Sequence, residues 1–332
     1  MKSLRVGLLG LSGEGEAYLK ALRANANVEL VCAADADARR IADLAEGRAI
    51  RTYEDCRSLI VGATREPLDA LFVALEPFQS VDLLPLAAER GMPVFHKPPF
   101  ARSVDEGRCI ARRFADVSAA LVVARAWRFA PQSALSPAAA PSSDALRAAS
   151  VVVQTPDSAE GWRGHSARSG GGVLLNGAYE AVDELLCAFG VPESVYAECT
   201  MLARPGAVRK YDTEDIAAVT LRFAHERFAA LFAVRGRSRE SSGAARVSTL
   251  PVAAGSDPAA AVCAAGATDA TLRELRSDAV AAAVAAFVDS LTGDAESLAS
   301  TMLEHLRVLA VIEAAYLSAK TGAPESPRPF AD

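Results

Sequence analysis

The sequence predicts two domains in tandem, a doubly wound α/β domain followed by an α+β domain. Three observations carry this. The chain has 332 residues, twice the roughly 150 typical of one domain. Its first part alternates short, wholly apolar runs with helical stretches, the pattern of a parallel sheet covered on both faces. Past Ser150 the rhythm changes to closely spaced β-rich runs, which suit antiparallel pairing.

Residues 4–9 read as the first strand and 14–24 as the helix that follows. A second strand covers 28–34 and a helix 37–45, with a further strand over 68–75 and a helix over 81–90. A short strand at 94–95, a helix at 104–114 and a strand at 119–124 complete the series. Right-handed crossovers make such a series a doubly wound sheet. Residues 130–149 are rich in Ala, Pro and Ser and read as a linker, although 144–149 is helix-competent. In the second domain, 149–154, 194–200, 216–223 and 227–234 read as strands, the last two joined as a hairpin through His225-Glu226. Residues 236–255 read as loop. Residues 298–319 read as a long helix with Met302, Leu306, Leu309, Ile312 and Tyr316 at helical spacing. The expected domains are 1–125 and 126–332, with the final helix a candidate to pack back on the first.

The composition is globular, with 51% hydrophobic and 23% charged residues. A net charge of -6 leaves no basic field for nucleic acid or an anionic membrane. The longest apolar stretch, 279–288, falls short of the ~20 residues of a membrane span. The apolar start, Val6 to Gly10, is followed at once by Glu14 and Glu16, unlike a signal peptide. The cysteines are scattered, without a C-x-x-C pair or a histidine at metal-ligand spacing, so no metal is expected. Val31-Cys32 and Leu186-Cys187 read as interior thiols in a reducing compartment, and a cytoplasmic location is expected. Arginine dominates the cations. The lysines are only Lys2, Lys20, Lys97, Lys210 and Lys320.

Gly10-Leu11-Ser12-Gly13-Glu14-Gly15 lies between the first strand and first helix. It follows G-x-G-x-x-G except at Ser12, whose hydroxyl can donate to a phosphate. In such turns the glycines allow close backbone approach to a pyrophosphate and helix amides face the phosphates. Asp35, at the end of the second strand, is placed to accept from ribose hydroxyls and to repel a 2′-phosphate. NAD is therefore the expected cofactor, with Arg39 and Arg40 leaving NADP open. Ala74, Leu75 and Pro77, at the end of the 68–75 strand and just past it, join Gly10, Ser12, Gly13, Gly15, Asp35, His96 and Lys97 in the cofactor set.

Two further elements carry candidate chemistry. Val94-Phe95-His96-Lys97-Pro98-Pro99 ends a strand at the carboxyl edge, where such sheets bind ligands. Gly170-Gly171-Gly172 must turn sharply or approach something closely. After it, Asn176, Glu180 and Asp183 share one helical face.

Together these residues resemble the Gfo/Idh/MocA family, named for glucose–fructose oxidoreductase, inositol dehydrogenase and MocA. The resemblance spans most of the chain. Besides the turn it includes Asp35-Ala36-Asp37, Thr52-Tyr53-Glu54-Asp55, His96-Lys97-Pro98, Arg128-Phe129-Ala130-Pro131, Trp162-Arg163 and 315–322. It implies a Rossmann domain, then a domain with an open, mostly antiparallel sheet that serves as a homodimer or homotetramer surface. It also implies hydride transfer between NAD(P) and a sugar, polyol or related small molecule in the cleft.

The resemblance equates Lys97 with the lysine of the family's Glu-Lys-Pro triplet, which contacts substrate and nicotinamide. His96 then stands for the glutamate, Asn176 for an aspartate and Glu180 for the family histidine, while Asp183 is kept. Leu75-Glu76-Pro77-Phe78 stands where Thr-Pro-rich sequence is usual. Carbinol oxidation needs a proton acceptor. Lys97, Glu180 and His96 are the candidates, with Asn176 and Asp183 completing the catalytic set. His96 and Lys97, as strand neighbours, need a bend to serve one site. Trp162, Arg163, His165 and Tyr179 are the candidate substrate contacts, the arginine suited to a carboxylate or phosphate. The alternative is a non-catalytic relative that binds dinucleotide or metabolite as a sensor.

Overall fold

A computed structural model describes residues 3–45, 50–62, 67–129, 146–155, 161–202, 211–236, 246–253, 272–292 and 301–330. The chain forms two compact units. The first comprises Met1–Ala101, Asp105–Phe129 and Ser277–Met302; the second comprises Arg102–Val104, Ala130–Arg276 and Leu303–Asp332. Most of the expected linker, including Ala130-Pro131, lies outside the described residues.

The first unit is built on a six-stranded sheet in the order β3-β2-β1-β4-β5-β6. Its strands are β1 (Leu4–Leu9), β2 (Val28–Ala34), β3 (Arg51–Tyr53), β4 (Ala70–Val73), β5 (Val94–His96) and β6 (Leu121–Val123), all paired in parallel. Between them run α1 (Glu14–Ala24), α2 (Ala38–Ala45), α3 (Cys56–Gly62), α4 (Pro77–Ser80), α5 (Leu83–Ala88) and α6 (Val104–Asp116). The sequence reading passes over β3, α3 and the short α4, and the helix read over 81–90 is α5. β3 holds a single edge position and is half exposed, so it lacks the continuous apolar run that marks the central strands.

One face of this sheet carries an aromatic cluster. Phe72 lies 5.5 Å from Phe95, Tyr18 packs on both, and Phe287 closes over them at 5.5 and 5.1 Å. Phe287 belongs to a late helix, Leu272–Thr292 (α10, after three helices of the second unit). Ala279, Val280, Ala283, Val284, Phe287 and Val288 are its buried stripe, the period of a helix face.

The second unit carries a five-stranded sheet in the order β11-β7-β10-β9-β8. Its strands are β7 (Leu146–Thr155), β8 (Ser194–Thr200), β9 (Ile216–Phe223), β10 (Arg227–Arg235) and β11 (Arg246–Ala253). β10 and β7 run parallel and the other pairs antiparallel, which gives the mostly antiparallel sheet expected. The β9–β10 hairpin turns through residues 224–226, with His225 and Glu226 in the left-handed region at φ of 61° and 57°, as tight hairpin connections require. Two readings are corrected. The helix-competent end of the linker is instead the start of β7, and the loop read over 236–255 contains β11. In both, pairing in the sheet overrides local propensity.

Helices α7 (Ser166–Ser169), α8 (Val173–Asn176), α9 (Tyr179–Phe189) and α11 (Thr301–Thr321) complete the second unit. Phe189 of α9 stacks on Phe223 of β9 at 4.9 Å. α11, expected over 298–319, clusters with the second unit from Leu303 onward. The opposite sheet face is open: Tyr196, Phe228 and Phe232 are 40%, 51% and 43% exposed. Cys187, read from its apolar neighbour as interior, is exposed on α9. Among the described residues no helix is long and apolar enough to cross a membrane.

Candidate active site

β1 and β4 are neighbours at the point where strand order reverses, so their carboxyl ends flank the crevice in which doubly wound sheets bind ligands. Gly10 follows β1 with φ of 85°, and a side chain there would stand 2.9 Å from the Ala74 carbonyl oxygen after β4. At Gly15 an added Cβ would lie 2.2 Å from the Gly10 carbonyl oxygen. Both glycines are thus demanded by packing of the turn itself. Gly13 has φ of 57° and nothing within 4 Å of where a Cβ would be. It is the N-cap of α1, and no side chain caps that helix, which leaves its N-terminus available to an anion. Ser12 and Gly13 are exposed.

Asp35 holds this turn from below. Its carboxylate is 7% exposed and accepts the Leu11 amide at 2.6 Å and the Asp37 amide at 2.8 Å. The Arg40 guanidinium lies 3.6 Å away. A carboxylate accepts from about four directions, so acceptor capacity remains on Asp35 for a ribose hydroxyl. An open glycine turn, an uncapped helix start and a buried carboxylate at the end of β2 fit a dinucleotide.

At the end of β5, His96 and Lys97 separate. His96 is fully buried, with Nδ1 2.5 Å from the Lys97 carbonyl oxygen and Nε2 2.9 Å from Ser80 Oγ. A carbonyl only accepts, so Nδ1 carries the proton and Nε2 accepts from the Ser80 hydroxyl. Burial drives its pKa down to about 3. Both ring nitrogens of His96 are thus engaged within the protein, which weighs against the proton-carrying role expected of it. It is a neutral brace between β5 and α4. Lys97 takes the other direction: its amide donates to the Val73 carbonyl at 3.0 Å, and its Nζ lies 2.8 Å from Glu76 Oε2, with the two side chains 11% and 19% exposed. Glu76 is the N-cap of α4, and its own amide donates to Gln79 Oε1 at 3.2 Å. Ala74, Leu75 and Pro77 are buried around this corner.

In the second unit the glycine run packs on protein. Gly170 turns with φ of 77°; Cβ atoms at Gly171 and Gly172 would lie 2.1 Å from the Tyr316 hydroxyl and 2.1 Å from the Glu214 carbonyl oxygen. Glu214 is the hub of this arrangement. It accepts the amides of Gly172 at 2.7 Å and Leu174 at 2.9 Å, and the Tyr316 hydroxyl at 2.9 Å. Burial pushes the Glu214 carboxyl up, against the pull of these donors, and burial beside Glu214 raises the Tyr316 phenol well above its ordinary value. A buried pair, Asp215 and Arg235 at 3.6 Å, anchors the neighbouring backbone.

Asn176 closes the same turn, its Nδ2 donating to the carbonyls of Gly171 at 2.8 Å and Gly172 at 3.2 Å. An aspartate would face those carbonyls without a donor. Asn176 thus clasps the glycine turn through its Nδ2. Tyr179 is 2% exposed, its hydroxyl lies 3.1 Å from His305 Nδ1, and its ring stacks on that histidine. Glu180 is half-buried and Asp183 is buried on α9. Arg163 stacks over Trp162 at 4.5 Å, and its carbonyl accepts the Thr213 hydroxyl at 2.8 Å. His165 is exposed at the start of α7.

Residues 4–125 match the family model described as an oxidoreductase family with an NAD-binding Rossmann fold, and residues 145–248 match the GFO/IDH/MocA C-terminal domain. The chain belongs to the Gfo/Idh/MocA family. Its first unit is an NAD-binding Rossmann domain. Among its Gfo/Idh/MocA relatives, the D-xylose 1-dehydrogenase (NADP(+)) 2 of Haloferax volcanii is 28% identical over 229 residues, which is 65% of this chain and 69% of that protein. GenD2 from gentamicin A biosynthesis, solved with NAD, shares the fold with a TM-score of 0.81 at 18% identity, over 99% of this chain and 97% of its own. The WlbA dehydrogenase of Bordetella pertussis, solved with NADH and UDP-GlcNAcA, superposes with a TM-score of 0.77 at 20% identity, over 99% of each chain.

Two carboxylates of this Gfo/Idh/MocA chain escape the sequence reading as site residues. Glu214 gives no local signal, because its partners lie about 40 and 100 residues away in sequence. Glu76 does give one: the carboxylate missing at His96 reappears one strand over, before Pro77.

Proposed function

We propose that this protein is an NAD-dependent dehydrogenase or reductase acting on a carbinol or carbonyl of a sugar, polyol or sugar derivative. One observation carries the reading: Lys97 is held by a carboxylate at 2.8 Å at the carboxyl end of β5, on the same sheet edge as the glycine turn that follows β1. Lys20 and Lys320 are exposed, so among the described lysines only Lys97 is enclosed.

When bound, NAD supplies a nicotinamide that takes or gives a hydride. Gly10, Ser12, Gly13 and Gly15 hold the pyrophosphate, Asp35 the adenosine ribose, and Ala74, Leu75, Pro77 and Lys97 flank the path beyond it. Lys97 orients the reacting oxygen and carries its proton. In the second unit Glu180 and Asp183 are the ionisable candidates that remain, and Trp162, Arg163 and His165 the substrate contacts. The open sheet face bearing Phe228 and Phe232 pairs two copies of the chain.

The test is parallel calorimetric titration with NADH and NADPH at matched salt, then an assay of NAD reduction on D-xylose, myo-inositol and UDP-GlcNAcA. Micromolar binding of NADH, about -8 kcal/mol, with turnover of any of these supports the reading. Preference for NADPH overturns the role given to Asp35. If neither dinucleotide binds, the dehydrogenase reading falls.

A further inference from the structure

The pairing of Lys97 with Glu76 has no counterpart in the family pattern, and it arises where the chain departs from that pattern twice. His96 replaces a carboxylate and is sealed into the core by Ser80 and the Lys97 carbonyl. Glu76 brings a carboxylate back to the same lysine from the neighbouring strand. A structural ion pair is a poor account of this. Two enclosed charges cost solvation that their attraction repays only in part. His96 ties β5 to α4 without them, and Glu76 and Gln79 exchange side-chain-to-backbone hydrogen bonds at the start of α4, a cap that needs an acceptor at position 76 but not the lysine. The charges sit instead at the carboxyl edge of the sheet, next to the crevice between β1 and β4.

We propose that Glu76 is the terminal proton acceptor of the reaction, reached through Lys97. This rests on the dehydrogenase reading above. In the oxidative direction the carbinol C–H bond breaks, its electron pair leaving as hydride to the oxidised dinucleotide. The hydroxyl proton passes to Lys97 Nζ as Nζ passes one of its own to Glu76 Oε2. A C=O bond forms, Lys97 ends as the ammonium it began as, and Glu76 ends as the neutral acid. In reduction the same protons return. The relay lies wholly within the first unit and makes a histidine at position 180 unnecessary. Lys97 is then the catalytic residue and Glu76 its positioning and proton-accepting partner.

Two measurements on the full chain test this. With only five lysines in the sequence, 15N-lysine labelling gives a side-chain spectrum in which Lys97→Arg identifies the Lys97 signal. Glu76→Gln should move that signal and no other; an unmoved signal overturns the pair. In the assay with NAD and the sugar panel, Glu76→Gln should lower kcat roughly 100-fold or more with KM within about threefold. Glu76→Asp should recover most of the loss, and formate should restore Glu76→Ala saturably. A Glu76→Gln enzyme with kcat within about threefold of wild type, or a loss in KM alone without formate rescue, overturns the relay and leaves the dehydrogenase reading standing. Wild-type protein that neither binds NADH nor turns over any of the panel overturns that reading, and the relay with it.

Discussion

At position 97 a four-carbon stem carries a cation to the edge of the sheet, while one residue earlier an imidazole turns into the core. Their fates predict opposite phenotypes. Lys97→Ala should abolish turnover while NADH affinity, measured by calorimetry, stays within about tenfold, because the phosphate turn and Asp35 do not depend on the lysine. His96 acts on stability. Its folded pKa of about 3 lies below the ordinary 6.5 of a histidine, so between those values the unfolded chain binds the extra proton. The wild type should therefore lose about 1.4 kcal/mol of stability per pH unit from this residue as pH falls from 6.5 toward 3. Urea titrations of wild type and His96→Gln across that range should show the difference in slope; parallel slopes would mean the ring is protonated in the fold. Part of this was legible in the order of residues. Lys97 stands out because lysine is rare and prolines follow it. The direction of His96 was not legible, because alternation along a strand says that the two side chains diverge and not which one goes inward.

At the scale of elements, the glycine run and α11 form one device through Glu214. The reading of Gly170-Gly171-Gly172 as a close approach is correct in kind, and what approaches is Tyr316 and the backbone of Glu214. Such a partner is invisible in a local window, since the contact joins segments far apart in the chain. Gly172→Ala places a methyl against a carbonyl oxygen that cannot step aside. It should cost about 1–3 kcal/mol by overpacking, read as a lower midpoint in denaturant titration with an unchanged slope. A variant as stable as wild type would show that the turn repacks freely. The parallel strands were legible because each is apolar throughout, and the β9–β10 hairpin because its two strands lie so close. β11 was not, because its sequence, with Pro251 within it, resembles a loop until pairing with β7 is considered.

At the scale of the molecule, the exposed apolar row on the open sheet predicts self-association. Phe232 stands opposite Ala218 on one side and Val152 on the other, so a charge there meets small neighbours and no counter-ion across either register. Phe232→Arg should shift the sedimentation of the protein toward the monomer with its thermal unfolding little changed; an unshifted profile would move the interface elsewhere. The order of the two domains was legible from the change of rhythm past Ser150. The return of α10 to the first unit was not, because a stripe made largely of alanine gives little contrast with its other face.

That return has a consequence during synthesis. The strands bearing Phe72 and Phe95 leave the ribosome early, but Phe287, which covers them, is translated only after most of the second unit. At ordinary elongation rates the nascent sheet waits on the order of ten seconds with an aromatic face bare. Over that interval the chain is a client for any holdase that recognises exposed rings, and a ribosome stalled within the second unit releases a first unit that cannot be finished.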